Sequence, residues 1–120
     1  MAVSLRTTAA GRELANYRDR AMSSGYVGIL TVDLHFPEAG SLKGKRKYVK
    51  STKAQLQNRF GAAVAEVDHH ELWQRARLTV ACVAREHREL DALLDDALRY
   101  LNGQEYEVGS TGREVVVPGD

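Results

Sequence analysis

The hydrophobic period changes in a regular alternation along residues 26–117, and this alternation restricts the chain to few folds. Segment 26–36 alternates apolar and polar residues, as a strand with one buried side does. Segment 42–60 places its apolar residues about 3.6 positions apart, which predicts an amphipathic helix. The same two patterns recur and predict strands at 62–68 and 72–84, a helix at 85–102 and a strand at 106–117. The predicted order is therefore strand, helix, strand, strand, helix, strand.

Local signals that begin and end helices support these boundaries. Pro37 ends the first strand, and Ser41 is a good N-cap for the helix that follows it. Gly61 and Gly103 stand where the two helices end. Two strand–helix–strand crossovers in so short a chain predict a ferredoxin-like α/β (α+β) two-layer sandwich of βαββαβ order. It would have a four-stranded antiparallel sheet, order 4-1-3-2, with both helices on one face and the other face open.

The N-terminal residues differ in character from this domain. We expect one ferredoxin-like domain at 26–117 and a short tail at 118–120. Residues 1–25 contain four arginines and only a broken apolar pattern, so we interpret them as a poorly ordered extension. A short helix at 11–22, or a start of translation at Met22, would explain the same residues.

The strand and helix periods also predict which side chains face the core. The inward positions are Leu30, Val32, Leu34, Val49, Leu56, Phe60, Val67, Leu78, Val80, Leu94 and Leu98. The open face of the sheet would carry a polar cluster comprising Asp33, His35, Glu66, Asp68, Trp73, Arg75 and Arg77.

Two stretches of this pattern resemble a known family. They are Tyr-Val-Gly-Ile-Leu-Thr-Val-Asp-Leu-His-Phe-Pro-Glu-Ala-Gly-Ser-Leu-Lys-Gly-Lys-Arg, from residue 26, and Val-Ala-Glu-Val-Asp-His-His-Glu-Leu-Trp-Gln-Arg-Ala, from residue 64. Over residues 26–116 the chain resembles the DUF503 or YlxP-like proteins, a small bacterial family of unknown function. The resemblance implies a ferredoxin-like fold. Family genes often lie beside genes for translation initiation and ribosome maturation factors, which implies association with RNA or the ribosome.

The chain departs from that family at the start of its first helix. Similar proteins usually have an acidic residue at the position of Gly44, where it would complete a capping box with Ser41. Gly44 removes that carboxylate, so the helix start is more positive here than in the relatives.

The first helix is the leading candidate for a binding surface. Segment 41–60 contains seven Lys or Arg residues and no Asp or Glu. A helix face that is merely solvated normally includes acidic partners three or four positions away. We therefore expect RNA or another anion to contact Lys43, Lys45, Arg46, Lys47, Lys50 and Lys53. The competing interpretation is a solvated face that only keeps the protein in solution.

The open sheet face supports two alternatives. We expect a homodimer, in which the interleaved charges of this face would pair with a second copy, and the alternative function is docking of another protein on the same face. Alternatively, Asp33, His35 and Arg75 could surround a dimer cleft in a small-molecule or anion-binding enzyme. Stacking of bases on the sheet, as in RNA-recognition motifs, needs aromatic residues on the central strands, and only Trp73 is aromatic in this cluster.

Composition and motifs limit the other classes of function. The net charge is only +1, so attraction to RNA must come from local clustering. The single cysteine, Cys82, excludes a disulfide scaffold, and its inward position predicts a buried, unreactive thiol. No spacing matches a zinc site, a nucleotide-binding glycine loop or a catalytic nucleophile, so we expect a non-enzymatic protein without metal or cofactor. No segment predicts a membrane span or secretory signal, and we expect a cytoplasmic protein.

Overall fold

A computed structural model describes residues 3–4 and 24–119 of the chain. Its elements are β1 (Val3–Ser4), β2 (Tyr26–His35), α1 (Leu42–Phe60), β3 (Ala63–Asp68), β4 (Arg75–Ala84), α2 (His87–Asn102) and β5 (Glu107–Val117). Most of the N-terminal extension predicted to be poorly ordered, residues 5–23, lies outside the described residues, as does residue 120. Among those described, no helix is both long and apolar enough to cross a membrane.

The sheet has the predicted antiparallel arrangement. Its strands lie in the order β1-β5-β2-β4-β3, so the four strands of the βαββαβ unit follow the predicted order 4-1-3-2. β2 and β4 are central and pair from Tyr26 opposite Ala84 to His35 opposite Arg75. The short β1 extends the sheet beyond β5, where Val3 lies opposite Val117. The α+β sandwich is therefore confirmed, with one added edge strand that the hydrophobic pattern did not predict.

The core lies between the sheet and the two helices. The sheet contributes Leu30, Val32, Leu34, Leu78 and Val80, all at most 1% exposed. The helices contribute Val49, Leu56, Leu90, Leu94 and Leu101 to the same cluster. Phe60 and Leu98, predicted to be core residues, are only partly buried but pack against that cluster. As predicted, Cys82 is buried, and its burial raises the pKa of the thiol.

Strand β3 presents its faces opposite to the prediction. Val64 lies opposite buried Val80 and packs against the core, so the helix-facing positions of β3 are 64 and 66. The pairing then shifts register between Glu66 and Asp68, which marks a bulge or irregularity. Val67 falls at this point and is 47% exposed, so its predicted place in the core is wrong.

The turn after β3 explains where the next strand begins. His69 has a positive φ of 66°, and the Leu72 amide donates to the His69 carbonyl oxygen. Residues 72–74 therefore belong to the β3–β4 connection, and β4 begins at Arg75.

Candidate binding surfaces

Helix α1 starts and ends through local hydrogen bonds that its sequence supplies. The Ser41 hydroxyl accepts a hydrogen bond from the Gly44 amide at 3.0 Å, as an N-cap does. Gly61 has a left-handed conformation, and its amide donates to the carbonyl oxygens of the last turn. The first turn contains no acidic residue, so the positive end of the helix dipole is not offset within the helix.

Five cations form what we call the basic face of α1, on the side opposite Val49 and Leu56. Lys43, Arg46, Lys47 and Lys50 are exposed, and Lys53 is half-buried. None of the five forms an ion pair with another residue in the described part of the chain. Within residues 3–4 and 24–119, no acidic side chain therefore neutralises the charge of the basic face.

Lys45 does not belong to the basic face, contrary to the prediction. Its side chain is 1% exposed. The ammonium Nζ donates to Glu66 Oε2 at 3.0 Å and to the carbonyl oxygen of His69 at 2.8 Å. The carbonyl oxygens of His70 and Arg75 also accept from it, each at 3.2 Å. Lys45 therefore fastens α1 to the β3–β4 connection and cannot contact RNA.

Glu66 is also displaced from its predicted place. Because it lies on the helix-facing side of β3, its carboxylate meets Lys45 and not the polar cluster of the open face. The Lys45–Glu66 pair satisfies the buried ammonium together with the three carbonyl oxygens.

A cleft of about 460 Å³ opens beside the basic face, between α1, the β2–α1 connection and the end of α2. Three tyrosines, Tyr48, Tyr100 and Tyr106, line it, and we call it the tyrosine cleft. Lys47 lies both on the basic face and at this cleft. The cleft could not be predicted from sequence spacing, because Tyr48 lies far along the chain from Tyr100 and Tyr106.

The open sheet face contains a chain of ion pairs. Arg77 Nε donates to Asp33 Oδ1 at 2.7 Å, and its Nη1 lies 3.6 Å from Asp68 Oδ2. The hydrogen bond from Arg77 lowers the pKa of the Asp33 carboxyl, and the Asp33 carboxylate raises the pKa of Arg77. The backbone amide of His69 donates to Asp68 at 2.7 Å and lowers the pKa of that carboxyl. Both carboxylates are therefore stabilised in the charged form and are poor proton acceptors at neutral pH.

The three residues of the enzyme alternative lie around one small pocket on this face. Asp33, His35 and Arg75 line a pocket of about 160 Å³, below the usual range of roughly 300–1,000 Å³ for ligand pockets. His35 Nδ1 lies 3.0 Å from Glu107 Oε2. Trp73, 55% exposed, lines an adjoining depression of about 390 Å³ with His35 and Arg75. Within residues 3–4 and 24–119, no three His, Cys, Asp or Glu residues could hold a metal ion.

Another part of the open face carries a small group of apolar side chains. Val83 is 69% exposed, and the small side chains of Ala63 and Ala65 are exposed nearby on β3. Ala63 lies opposite Ala81, which places these residues on the same side of the sheet. We call Ala63, Ala65, Ala81 and Val83 the apolar patch.

Comparison with known proteins identifies the relatives of this chain. The family described as "Protein of unknown function (DUF503)" matches residues 27–112. The chain belongs to this family. It is also similar to the uncharacterized protein YlxP of Bacillus subtilis (strain 168), with 26% identity over 76 residues. That match spans 63% of this chain and 83% of the relative.

The DUF503 match confirms the resemblance inferred from the sequence. Its range covers the whole basic face of α1, the tyrosine cleft and most of the open face. The cleft and the basic face therefore both lie in the part of the chain that this family describes.

Proposed function

We propose that this DUF503 protein is a non-enzymatic accessory factor that binds RNA, including ribosomal RNA, through the basic face of α1. The observation that carries the proposal is the set of five cations without an internal partner among the described residues. Because Lys45 is buried, the proposed RNA-binding surface consists of Lys43, Arg46, Lys47, Lys50 and Lys53. Since ribosomal RNA is the expected target, the proposal also includes a cytoplasmic location.

The spacing of these cations suits a phosphate backbone. Lys43, Lys47 and Lys50 follow one another at intervals of four and three residues, so their side chains line one side of the helix. Lysine and arginine contacts with phosphates depend on charge more than on sequence, and they release counterions. With a net charge of only +1 for the whole chain, such binding would be local to this face.

Fluorescence anisotropy with a structured ribosomal RNA fragment tests the proposal. We expect binding that weakens as salt increases, and a Lys43→Glu/Lys47→Glu variant that binds more weakly. If both lysines contact phosphates, the slope of log K against log salt should fall by about 1.4 for single-stranded segments. A duplex DNA of equal charge shows whether the surface prefers RNA.

A matched control separates local contact from net charge. Arg85 and Arg88 are exposed on another part of the surface, and Arg85→Glu/Arg88→Glu changes the net charge equally. The control should bind RNA nearly as the unmodified protein does. Equal losses in both variants, or no binding at low salt, would refute specific contact by the basic face.

The apolar patch supports a second candidate, a homodimer formed through the open sheet face. Exposed Val83 would be buried against the partner, while the Asp33–Arg77–Asp68 ion pairs offer both signs of charge beside it. Analytical ultracentrifugation would show a dimer that Val83→Glu dissociates. A monomer at all concentrations would eliminate this candidate and leave the RNA proposal unaffected.

A further inference from the structure

The tyrosine cleft has the dimensions and the walls of a ligand site. Its volume of about 460 Å³ falls in the roughly 300–1,000 Å³ range of small-molecule pockets. The ring of Tyr48 stacks on buried Phe36, with centroids 5.4 Å apart and planes 22° apart. Phe36 also contacts Tyr106 edge-on at 5.2 Å. The aromatic wall is therefore held in place before any ligand binds.

Tyr100, which lies on α2, is held in place by residues at the end of α1. Tyr100 meets Phe60 edge-on, with centroids 6.1 Å apart, and the Arg59 guanidinium lies 4.8 Å from its ring centroid. Tyr48 and Tyr100 remain partly exposed, so aromatic surface is available in the cleft. Such surface suits a flat, polarisable ring.

A buried hydroxyl pair in the cleft has one unused proton. The Thr52 hydroxyl donates to the Tyr106 hydroxyl at 3.0 Å, and the two residues are 3% and 8% exposed. This bond uses the threonine proton, and no hydrogen bond among the described residues uses the Tyr106 proton. Burial raises the pKa of Tyr106, so the hydroxyl remains a donor at neutral pH. The Tyr106 hydroxyl can therefore donate to a ligand acceptor in the cleft while it accepts from Thr52.

The charged residues around the cleft favour amino groups in one place and phosphates in another. Glu38 and Glu105 line it, and their carboxylates would repel a phosphate but accept hydrogen bonds from amino groups. Lys47, at the junction with the basic face, would attract a phosphate. The arrangement favours a neutral ring with amino groups inside the cleft and phosphates outside it.

We propose that the tyrosine cleft binds one amino-bearing nucleobase of a single-stranded RNA whose phosphates lie on the basic face of α1. This proposal rests on the RNA-binding function proposed above and names the feature of RNA that this site selects. Single-stranded bases are typically recognised by stacking on aromatic side chains and hydrogen bonding at their edges. Tyr48 and Tyr100 would supply the stacking surface, and the Tyr106 hydroxyl would donate to a ring nitrogen or carbonyl oxygen.

Gly40 offers a way to fill the cleft without disturbing the fold. It lines the cleft, its φ is not positive, and a Cβ added there meets no atom within 4 Å. Gly112 on β5 also has a φ that is not positive, and a Cβ added there meets no atom within 4 Å, but it lies away from the cleft. Gly40→Leu and Gly112→Leu therefore form a matched pair, with Ser51→Leu as a second cleft-filling variant should Gly40→Leu fold poorly.

The experiment compares RNA with and without bases. Anisotropy is measured with a 12-nucleotide oligoadenylate and with an abasic RNA of the same length. We expect the oligoadenylate to bind more tightly, and Gly40→Leu to lose about tenfold or more of that affinity, as is typical of a lost base–aromatic contact. Gly112→Leu should bind normally, and neither variant should affect the abasic RNA.

A second measurement keeps the two proposals distinguishable. Amide NMR shifts of the whole protein are recorded with adenosine 5′-monophosphate and with ribose 5-phosphate. Amide shifts at Gly40, Gly44 and Ser51 that appear with adenosine 5′-monophosphate but not with ribose 5-phosphate would show that the cleft binds the base. This result would support base binding in the cleft even if no RNA bound. Salt-dependent RNA binding that Gly40→Leu and Ser51→Leu leave unchanged would overturn the cleft proposal while the RNA proposal stands. Absence of both nucleotide shifts and RNA binding would overturn both.

Discussion

The two helices occupy equivalent places on the same face of the sheet, but they are held there differently. Helix α2 buries only apolar side chains: Leu90, Leu94, Ala97 and Leu101. Helix α1 buries Val49 and Leu56, but also Lys45 and Thr52, each of which is held by side-chain hydrogen bonds. Apolar burial holds α2 in place, whereas α1 depends partly on specific polar contacts.

The two helices also differ in whether their exposed charged side chains form ion pairs. In α2, Arg99 pairs with Asp96 at 2.7 Å, and Asp95 pairs with Arg113 of β5 at 2.8 Å. The basic face of α1 has no such partner among the described residues. The charges of α2 are therefore largely neutralised within the protein, whereas those of the basic face are unpaired among the described residues. Four substitutions test this comparison.

Lys45→Met should have the largest effect. It leaves the Glu66 carboxylate and three carbonyl oxygens without their shared donor, and breaking a buried pair in this way costs about 3–5 kcal/mol. The free energy of unfolding in denaturant measures it. Lys50→Met, at an exposed position of the same helix, should change stability by about 0.5 kcal/mol or less. Equal effects would show that Lys45 is not a special anchor.

Leu94→Ala tests the apolar packing of α2. Leu94 is fully buried, and removing its side chain leaves a cavity that should cost about 2–5 kcal/mol. The neighbouring Leu93 is only partly buried, so Leu93→Ala should cost clearly less in the same denaturation experiment. A similar denaturation midpoint for both variants would mean that Leu94 does not face the core more than Leu93 does.

Gly28→Ala tests how closely α2 approaches the sheet. A Cβ at Gly28 would lie 2.7 Å from a methyl carbon of Leu94 and 2.8 Å from one of Leu90. Overpacking of this kind should destabilise the protein by about 1–3 kcal/mol, measured by thermal or denaturant unfolding. A neutral result would show that the two leucines can move aside and that this side of the core is loosely packed.

Gly44→Ala should have the smallest effect, and of the opposite sign. A Cβ at Gly44 meets only the Ser41 hydroxyl, at an ordinary 3.5 Å, and alanine is favoured over glycine within a helix. We expect a gain of about 0.5–1 kcal/mol in the free energy of unfolding. A loss of stability would show that the start of α1 needs the freedom of glycine.

The fold could be predicted from the sequence because its signals are local. The Ser41 cap and Gly61 fixed α1 at Leu42–Phe60, as predicted, since caps and the helical period depend on neighbouring residues. The alternation of periods likewise gave the strand order, because short right-handed crossovers leave few topologies.

Only the tertiary structure decided the composition of the candidate sites. Along β3, Val64 and Glu66 face the helices and Val67 is exposed, which is the reverse of the predicted alternation. An error of one residue in the assumed alternation reverses the face of every side chain in a strand. In the sequence Lys45 does not differ from the other cations of this helix. It is buried because its hydrogen-bond acceptors come from residues 21–30 positions away in sequence. The tyrosine cleft arises in the same way, from residues 38–52 and 100–106, two stretches that meet only in the folded chain. The hydrophobic period and the helix caps depend on residues a few positions apart. The burial of a side chain and its hydrogen-bond partners depend on contacts between distant parts of the chain, which sequence spacing does not show.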